Sequence, residues 1–139
     1  MDLVGKISLV TGAGQGIGEG IAKVLAQQGS KVILVDLNGQ AAQKVSDDIN
    51  NAYPDSAYSY EADLTDEKAI QSMLEFTDQK FHRLDCICNN AAASKGLGPV
   101  ETYSLEDVQA TLDLTFTSLW KCLQAEIIFL KKQSSPASI

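Results

Sequence analysis

Four glycines in seven residues, Gly12, Gly14, Gly16 and Gly18, lie between an apolar run at 7–10 and a helical pattern at 17–28. Glycine takes positive φ cheaply and lets a ligand approach the backbone closely. A helix opening at such a turn presents unpaired N–H groups and the positive end of its dipole, which suits a pyrophosphate. Asp36 closes the next apolar run, 31–35, and stands 18 positions past Gly18. That is close to the roughly 20 residues at which a carboxylate meets the 2′-hydroxyl of an adenosine ribose. A 2′-phosphate would be repelled there. Positions 15 and 37 hold Gln15 and Leu37 rather than a cation, so NAD is expected in preference to NADP.

The elements that must position these residues follow from periodicity. Short apolar runs at 7–10, 31–35, 57–62 and 84–88 read as strands of a buried parallel sheet. Between them, apolar residues at three- and four-residue steps predict helices over 17–28, 40–51 and about 65–80. Gly29 stops the first of these, Pro54 breaks the second, and Thr65-Asp66-Glu67 opens the third. A loop rich in Ala, Gly and Pro covers 91–100. Ser104-Leu105-Glu106-Asp107 then opens one long helix to about 132 with a capping-box pattern. Ser134-Ser135-Pro136-Ala137-Ser138 breaks it. Strict β-α alternation predicts an α/β fold, a Rossmann-type doubly wound parallel sheet of about four strands with right-handed crossovers. No domain boundary is visible, so residues 1–139 form a single dinucleotide-binding domain, a partial Rossmann unit.

Composition limits the partners. Net charge is −7 with no Lys/Arg cluster, so no basic footprint exists for a nucleic acid or an anionic membrane. No apolar run approaches the roughly 18 residues of a spanning helix, and the N-terminus has no secretory pattern. Three cysteines, an odd number, fit a reducing cytoplasm better than a disulfide framework. Cys86 and Cys88 lack the second ligand pair of a zinc site and are expected to pack as small hydrophobes, as is Cys122. His82, the only histidine, is expected at the surface. No metal site is expected.

Thr11-Gly12-Ala13-Gly14-Gln15-Gly16-Ile17-Gly18 resembles the TGxxxGxG fingerprint of the short-chain dehydrogenase/reductase family. Asp63-Leu64 resembles that family's acidic pair beside the adenine ring. Asn89-Asn90-Ala91-Ala92 resembles its NNAG segment, with Ala92 in place of glycine. The resemblance covers the whole chain in register. It implies hydride transfer between NAD and an alcohol or carbonyl substrate. It also implies a cofactor site made of Gly12, Gln15, Gly16, Ile17, Gly18, Asp36, Leu37, Asp63, Leu64, Asn90, Ala91 and Ala92.

The chemistry is less complete than the binding. The family transfers hydride with a Ser, a Tyr and a Lys, the last two spaced as YxxxK. Four residues after Tyr53, Tyr58, Tyr60 and Tyr103 stand Ala57, Ala62, Leu64 and Asp107. The long helix places Thr115 where the family has an assisting Asn. No catalytic residue is assigned, and the chain alone is expected to be inactive, as the N-terminal part of a truncated enzyme. A non-catalytic NAD-binding or interaction module is the alternative; an epimerase is weaker, because its TGxxGxxG turn is absent. Val108, Leu112, Phe116, Leu119, Leu123, Ile127 and Leu130 form one apolar stripe, widened by Trp120, Ile128 and Phe129. A helix apolar over so much of its circumference is expected to be buried on more than one side. Homo-oligomerisation is expected through this helix, or through strand 84–88 as an unpaired sheet edge.

Overall fold

The computed structural model describes residues 3–95 and 98–139. Positions 96 and 97 of the predicted Ala/Gly/Pro loop, and Met1 and Asp2 of the predicted N-terminal segment, lie outside the described residues. The order is β1 (Ile7–Thr11), α1 (Gly16–Gln27), β2 (Lys31–Asp36), α2 (Gly39–Ala52), β3 (Ala57–Glu61), α3 (Glu67–Phe81), β4 (Cys86–Cys88), α4 (Leu105–Leu112) and α5 (Ser118–Leu130). A single 3-10 turn, Val100–Thr102, precedes α4.

The sheet is wholly parallel in the order β3-β2-β1-β4. The predicted α/β doubly wound architecture is therefore present. Every residue of β1 is buried, as are Val32 to Val35 of β2. This is the signature of strands covered on both faces. One core, around Leu9, Ile33, Ile70, Met73, Leu74 and Leu84, lies under α3 and α5. The other, around Val10, Ala22, Leu34, Val45 and Ile49, lies under α1 and α2. Each fully buried Leu or Ile contributes about 1.5–3 kcal/mol relative to exposure.

Local signals explain most boundaries. Gly29 follows α1 with φ +91, the left-handed stop its type predicts. Asn38 caps α2 by accepting from Ala41 N, and Asp66 caps α3 by accepting from Lys68 N. Ser104 and Asp107 form the reciprocal capping box of α4.

Four expectations are corrected. The predicted single helix over 104–132 is α4 and α5 joined through a π-helical segment, Asp113–Thr117. The Ser118 hydroxyl donates to Leu114 O at 2.8 Å within that turn, a back-bond of the kind that bends helices. The apolar stripe is divided, with Phe129 and Leu130 packed against the core and much of the rest turned outward. Ser118, Cys122 and Glu126 point inward, while Phe116, Trp120, Ile127 and Ile128 are exposed. Finally, the strand read at 84–88 is shorter, and its edge is partly paired. Ser138 bridges Cys86 in parallel, with Ile87 N donating to Ser138 O at 2.8 Å and Ser138 N to Asp85 O at 2.9 Å. Cys86 and Cys88 are half-buried rather than buried.

Candidate cofactor site

The C-terminal ends of β1, β2 and β4 converge on one cleft of about 550 Å³. In a parallel α/β sheet this edge, where the strand order reverses, is where ligands bind. Here the reversal falls between β1 and β4, since β2 and β3 extend on one side of β1 and β4 lies on the other.

The glycine turn forms the floor. Gly12 has φ +64, and a Cβ there would lie 2.9 Å from Ala91 Cα and 3.1 Å from the Asn90 amide nitrogen. Any side chain at 12 would thus break the contact between the ends of β1 and β4. No side chain caps α1: Gln15 is its N-cap and makes no side-chain bond to the first turn. The amides of that turn are available to an anion, and the helix dipole favours one.

Asp36 is held in place before any ligand arrives. Its Oδ2 accepts from Gly14 N at 2.8 Å and its Oδ1 from Asn38 N at 2.9 Å. Each carboxylate oxygen keeps a further lone pair for a hydroxyl. The opposite wall is tied by Thr11 and Asn90. Thr11 Oγ1 accepts from Asn90 N and Ala91 N, both at 3.0 Å. The Asn90 amide donates to Thr11 O at 3.0 Å and to Gly12 O at 3.3 Å.

One residue earlier, Asn89 turns to the other side of β4. Its amide donates to Glu126 Oε2 at 2.8 Å. Glu126 is fully buried, and its Oε1 has no hydrogen-bond partner. Burial raises the Glu126 carboxyl above its usual range, and the bond from Asn89 only partly offsets this. Burial likewise pushes the neighbouring Cys122 thiol up to about 12, which leaves it unreactive.

Sequence and fold match known proteins. The family model described as short chain dehydrogenase matches residues 6–139. The chain belongs to the short-chain dehydrogenase family. An uncharacterized oxidoreductase of Staphylococcus epidermidis is 34% identical over 130 residues, covering 94% of this chain and 54% of the relative. The cyclohexanol dehydrogenase of an Acinetobacter species is 33% identical over 122 residues, covering 88% of this chain and 48% of that one. Among solved structures, NAD+-bound xylitol dehydrogenase superposes with a TM-score of 0.91 at 29% identity, covering 99% of this chain and 53% of its own. This short-chain dehydrogenase chain thus spans about half the length of the curated relatives it matches.

Of the twelve predicted cofactor residues, Gly12, Gln15, Ile17, Asp36, Leu37, Leu64, Asn90, Ala91 and Ala92 line the cleft. Gly16 and Gly18 do not line it but shape the turn. A Cβ on Gly18 would collide with the Gly12 carbonyl, so the helix packs against the strand only with glycine there. Asp63 also lies off the wall. Its Oδ1 accepts from Thr65 N at 2.9 Å and from Thr65 Oγ1 at 2.7 Å, and these bonds hold its carboxyl below the usual range. It shapes the β3–α3 turn, while Ala62, Leu64 and Thr65 form the wall itself. Thr115 sits in the π-helical segment, its hydroxyl donating to Ala93 O at 2.9 Å.

Ala62, Thr65, Ala93, Leu114 and Ser118 also line the cleft, without a sequence motif that marks them. Leu114 and Ser118 are one turn apart on the long helix, a spacing visible in the chain, but nothing local indicates which helix face meets the cleft. His82 is exposed and ends α3 in the left-handed conformation, φ +55, away from this cleft. No helix among the described residues is long and apolar enough to cross a membrane.

Proposed function

We propose that this chain binds NAD through its adenosine and pyrophosphate halves, as part of an alcohol- or ketone-converting dehydrogenase. The observation that carries the reading is the placement of Asp36. Two backbone amides orient its carboxylate at the rim of the cleft, beside the uncapped first turn of α1. Pyrophosphate would sit on the amides of Gly16, Ile17 and Gly18, with Gln15 and Ile17 beside it. Asp36 and Leu37 would hold the adenosine ribose, Leu64 and the turn shaped by Asp63 the adenine. Asn90, Ala91 and Ala92 would face the nicotinamide-side ribose. When bound, NAD supplies the hydride acceptor; the residues named here bind and orient it.

No residue of this sequence is assigned to proton transfer, because none of the four tyrosines is followed by Lys four positions on. Ketone reduction needs a donor of tuned pKa near the carbonyl. We therefore expect binding without turnover from residues 1–139. The substrate class is read from relatives named for alcohol oxidation, such as the cyclohexanol dehydrogenase above. Free thiols at Cys86, Cys88 and Cys122 favour a reducing, cytoplasmic setting.

Thr115 favours a second reading, a non-catalytic NAD-binding module, because its hydroxyl is already bonded to Ala93 O. Calorimetric titration with NAD tests the binding shared by both readings. Saturable binding is expected, weaker than that of a complete site, and no heat at millimolar NAD or AMP would remove both. Alcohol turnover by a polypeptide continuing past Ile139 would select the dehydrogenase.

A further inference from the structure

Glu61, the last residue of β3, is the register partner of Asp36 at the end of β2. Partners on adjacent parallel strands sit about 4.8 Å apart and project to the same face. The two carboxylates therefore flank one rim. With Leu37, Asn38, Gly39 and Gln40 they line a shallow hollow that shares Asp36 and Leu37 with the main cleft. A Cβ on Gly39 would collide with Glu61 Oε2, so the Glu61 carboxylate rests directly against the first residue of α2. Among the described residues neither Asp36 nor Glu61 is paired with a cation. The Asp36 oxygens are engaged by backbone amides; the Glu61 carboxylate has no such pair of bonds among the described residues and faces the N-terminal end of α2.

We propose that Glu61 is a second specificity-determining residue of the ribose pocket, excluding adenosine ligands that carry a 2′-phosphate. The inference rests on the reading of Asp36 as the ribose-binding carboxylate. A 2′-hydroxyl bonded to Asp36 lies within hydrogen-bond reach of that carboxylate. A phosphate on the same oxygen would extend along the rim occupied by Leu37, Gly39 and Glu61. There it would meet two negative charges instead of one, and the second is at a position to which neither the glycine turn nor the spacing of Asp36 points. Gly39 is part of the device, since any larger residue would displace the Glu61 carboxylate.

Adenosine 5′-monophosphate and adenosine 2′,5′-bisphosphate differ only in the 2′-phosphate and are the probes. Both are titrated calorimetrically against the wild-type chain, Glu61→Gln and Glu61→Asp, at about 50 mM and 500 mM salt. Wild type is expected to favour the monophosphate. Glu61→Gln, which keeps shape and removes charge, should reduce that preference roughly five- to tenfold at low salt, less at high salt where the charge is screened. Glu61→Asp should keep most of it. If both ligands bind and their affinity ratio is the same in wild type and Glu61→Gln, the role of Glu61 is overturned while the ribose site stands. If wild type binds neither ligand at millimolar concentration, the ribose-site reading fails and this inference with it.

Discussion

Thr11 accepts two hydrogen bonds from Asn90, one through its side chain and one through its backbone. The Thr11 hydroxyl accepts from Asn90 N at 3.0 Å, and the Asn90 side-chain amide donates to Thr11 O, also at 3.0 Å. Seventy-nine residues apart in sequence, they join the end of β1 to the end of β4. Between them they position the glycine turn against the Asn90–Ala92 wall. Thr11→Val keeps the shape and removes the acceptor, leaving the Ala91 amide unpaired and the Asn90 amide with Cys88 O alone. It should cost roughly 1–3 kcal/mol of stability, visible as a lower urea midpoint, and should weaken NAD binding. Wild-type stability and affinity in the variant would show that the tie does not matter.

Asp36 should set cofactor choice. Asp36→Ala removes both the ribose acceptor and a charge that repels a 2′-phosphate. Affinity for NAD should fall by roughly tenfold, matching about 1.4 kcal/mol for a hydrogen bond to a charged group. Preference for NAD over NADP should shrink with it. An unchanged preference, measured by parallel titration of the two dinucleotides, would take the ribose role from Asp36.

Asp85 should govern acid stability. Its burial opposes ionisation, but bonds from Arg83 and from Ile7 N, with Lys6 nearby, outweigh that and hold its carboxyl below the usual range. A lowered folded-state pKa gives stability that is present above the unfolded value near 3.9 and lost as pH falls through the folded one. Asp85→Asn should therefore destabilise at pH 7, by roughly 1–3 kcal/mol. The loss should narrow below about pH 4. Thermal melts from pH 3 to 8 measure this, and parallel curves for the two proteins would count against it.

Glu126 should act with the opposite sign. Burial raises its folded-state pKa, so folding favours the protonated form. Stability is then greatest below the unfolded carboxyl value near 4.3 and declines as pH rises through the folded one. Glu126→Gln keeps an acceptor for Asn89 and cannot ionise. Its melting temperature should exceed wild type at pH 8 by a few degrees, roughly 1 kcal/mol, with the gap closing toward pH 4. A gap independent of pH would mean that ionisation at 126 carries no penalty.

Self-association is expected through the outward face of the long helix. Phe116 and Trp120 are 67% and 63% exposed and Ile128 56%, so an apolar face that folding leaves uncovered lies open to a second copy. Light scattering should report species larger than a monomer at high concentration, and Trp120→Glu should shift them toward monomer. Monomer alone across the concentration range would remove the expectation. The sheet edge is the weaker route, because Ser138 already pairs beside Cys86.

Much of the site is written locally. The glycine turn, the buried strands and the capping residues Asp66 and Ser104 are short-range patterns, since turn geometry and two-residue or 3.6-residue periods depend on near neighbours. Asp36 is legible for the same reason: it ends a strand that follows the turn by one helix. Asp63 shows the limit of such reading, because its type and position suggested a wall residue while its carboxylate closes a turn on Thr65.

What the amino-acid order determined by itself was the strand–turn–helix unit, the alternation and the carboxylate at Asp36, all consequences of backbone preference and hydrophobic period. Tertiary structure alone decided which face of the long helix turned inward, burying Ser118, Cys122 and Glu126 and leaving Phe116 and Trp120 exposed. It also decided the register that sets Glu61 beside Asp36, and the pairing of Ser138 with Cys86. Those relationships join residues brought together only when separate elements pack, and no local period encodes them.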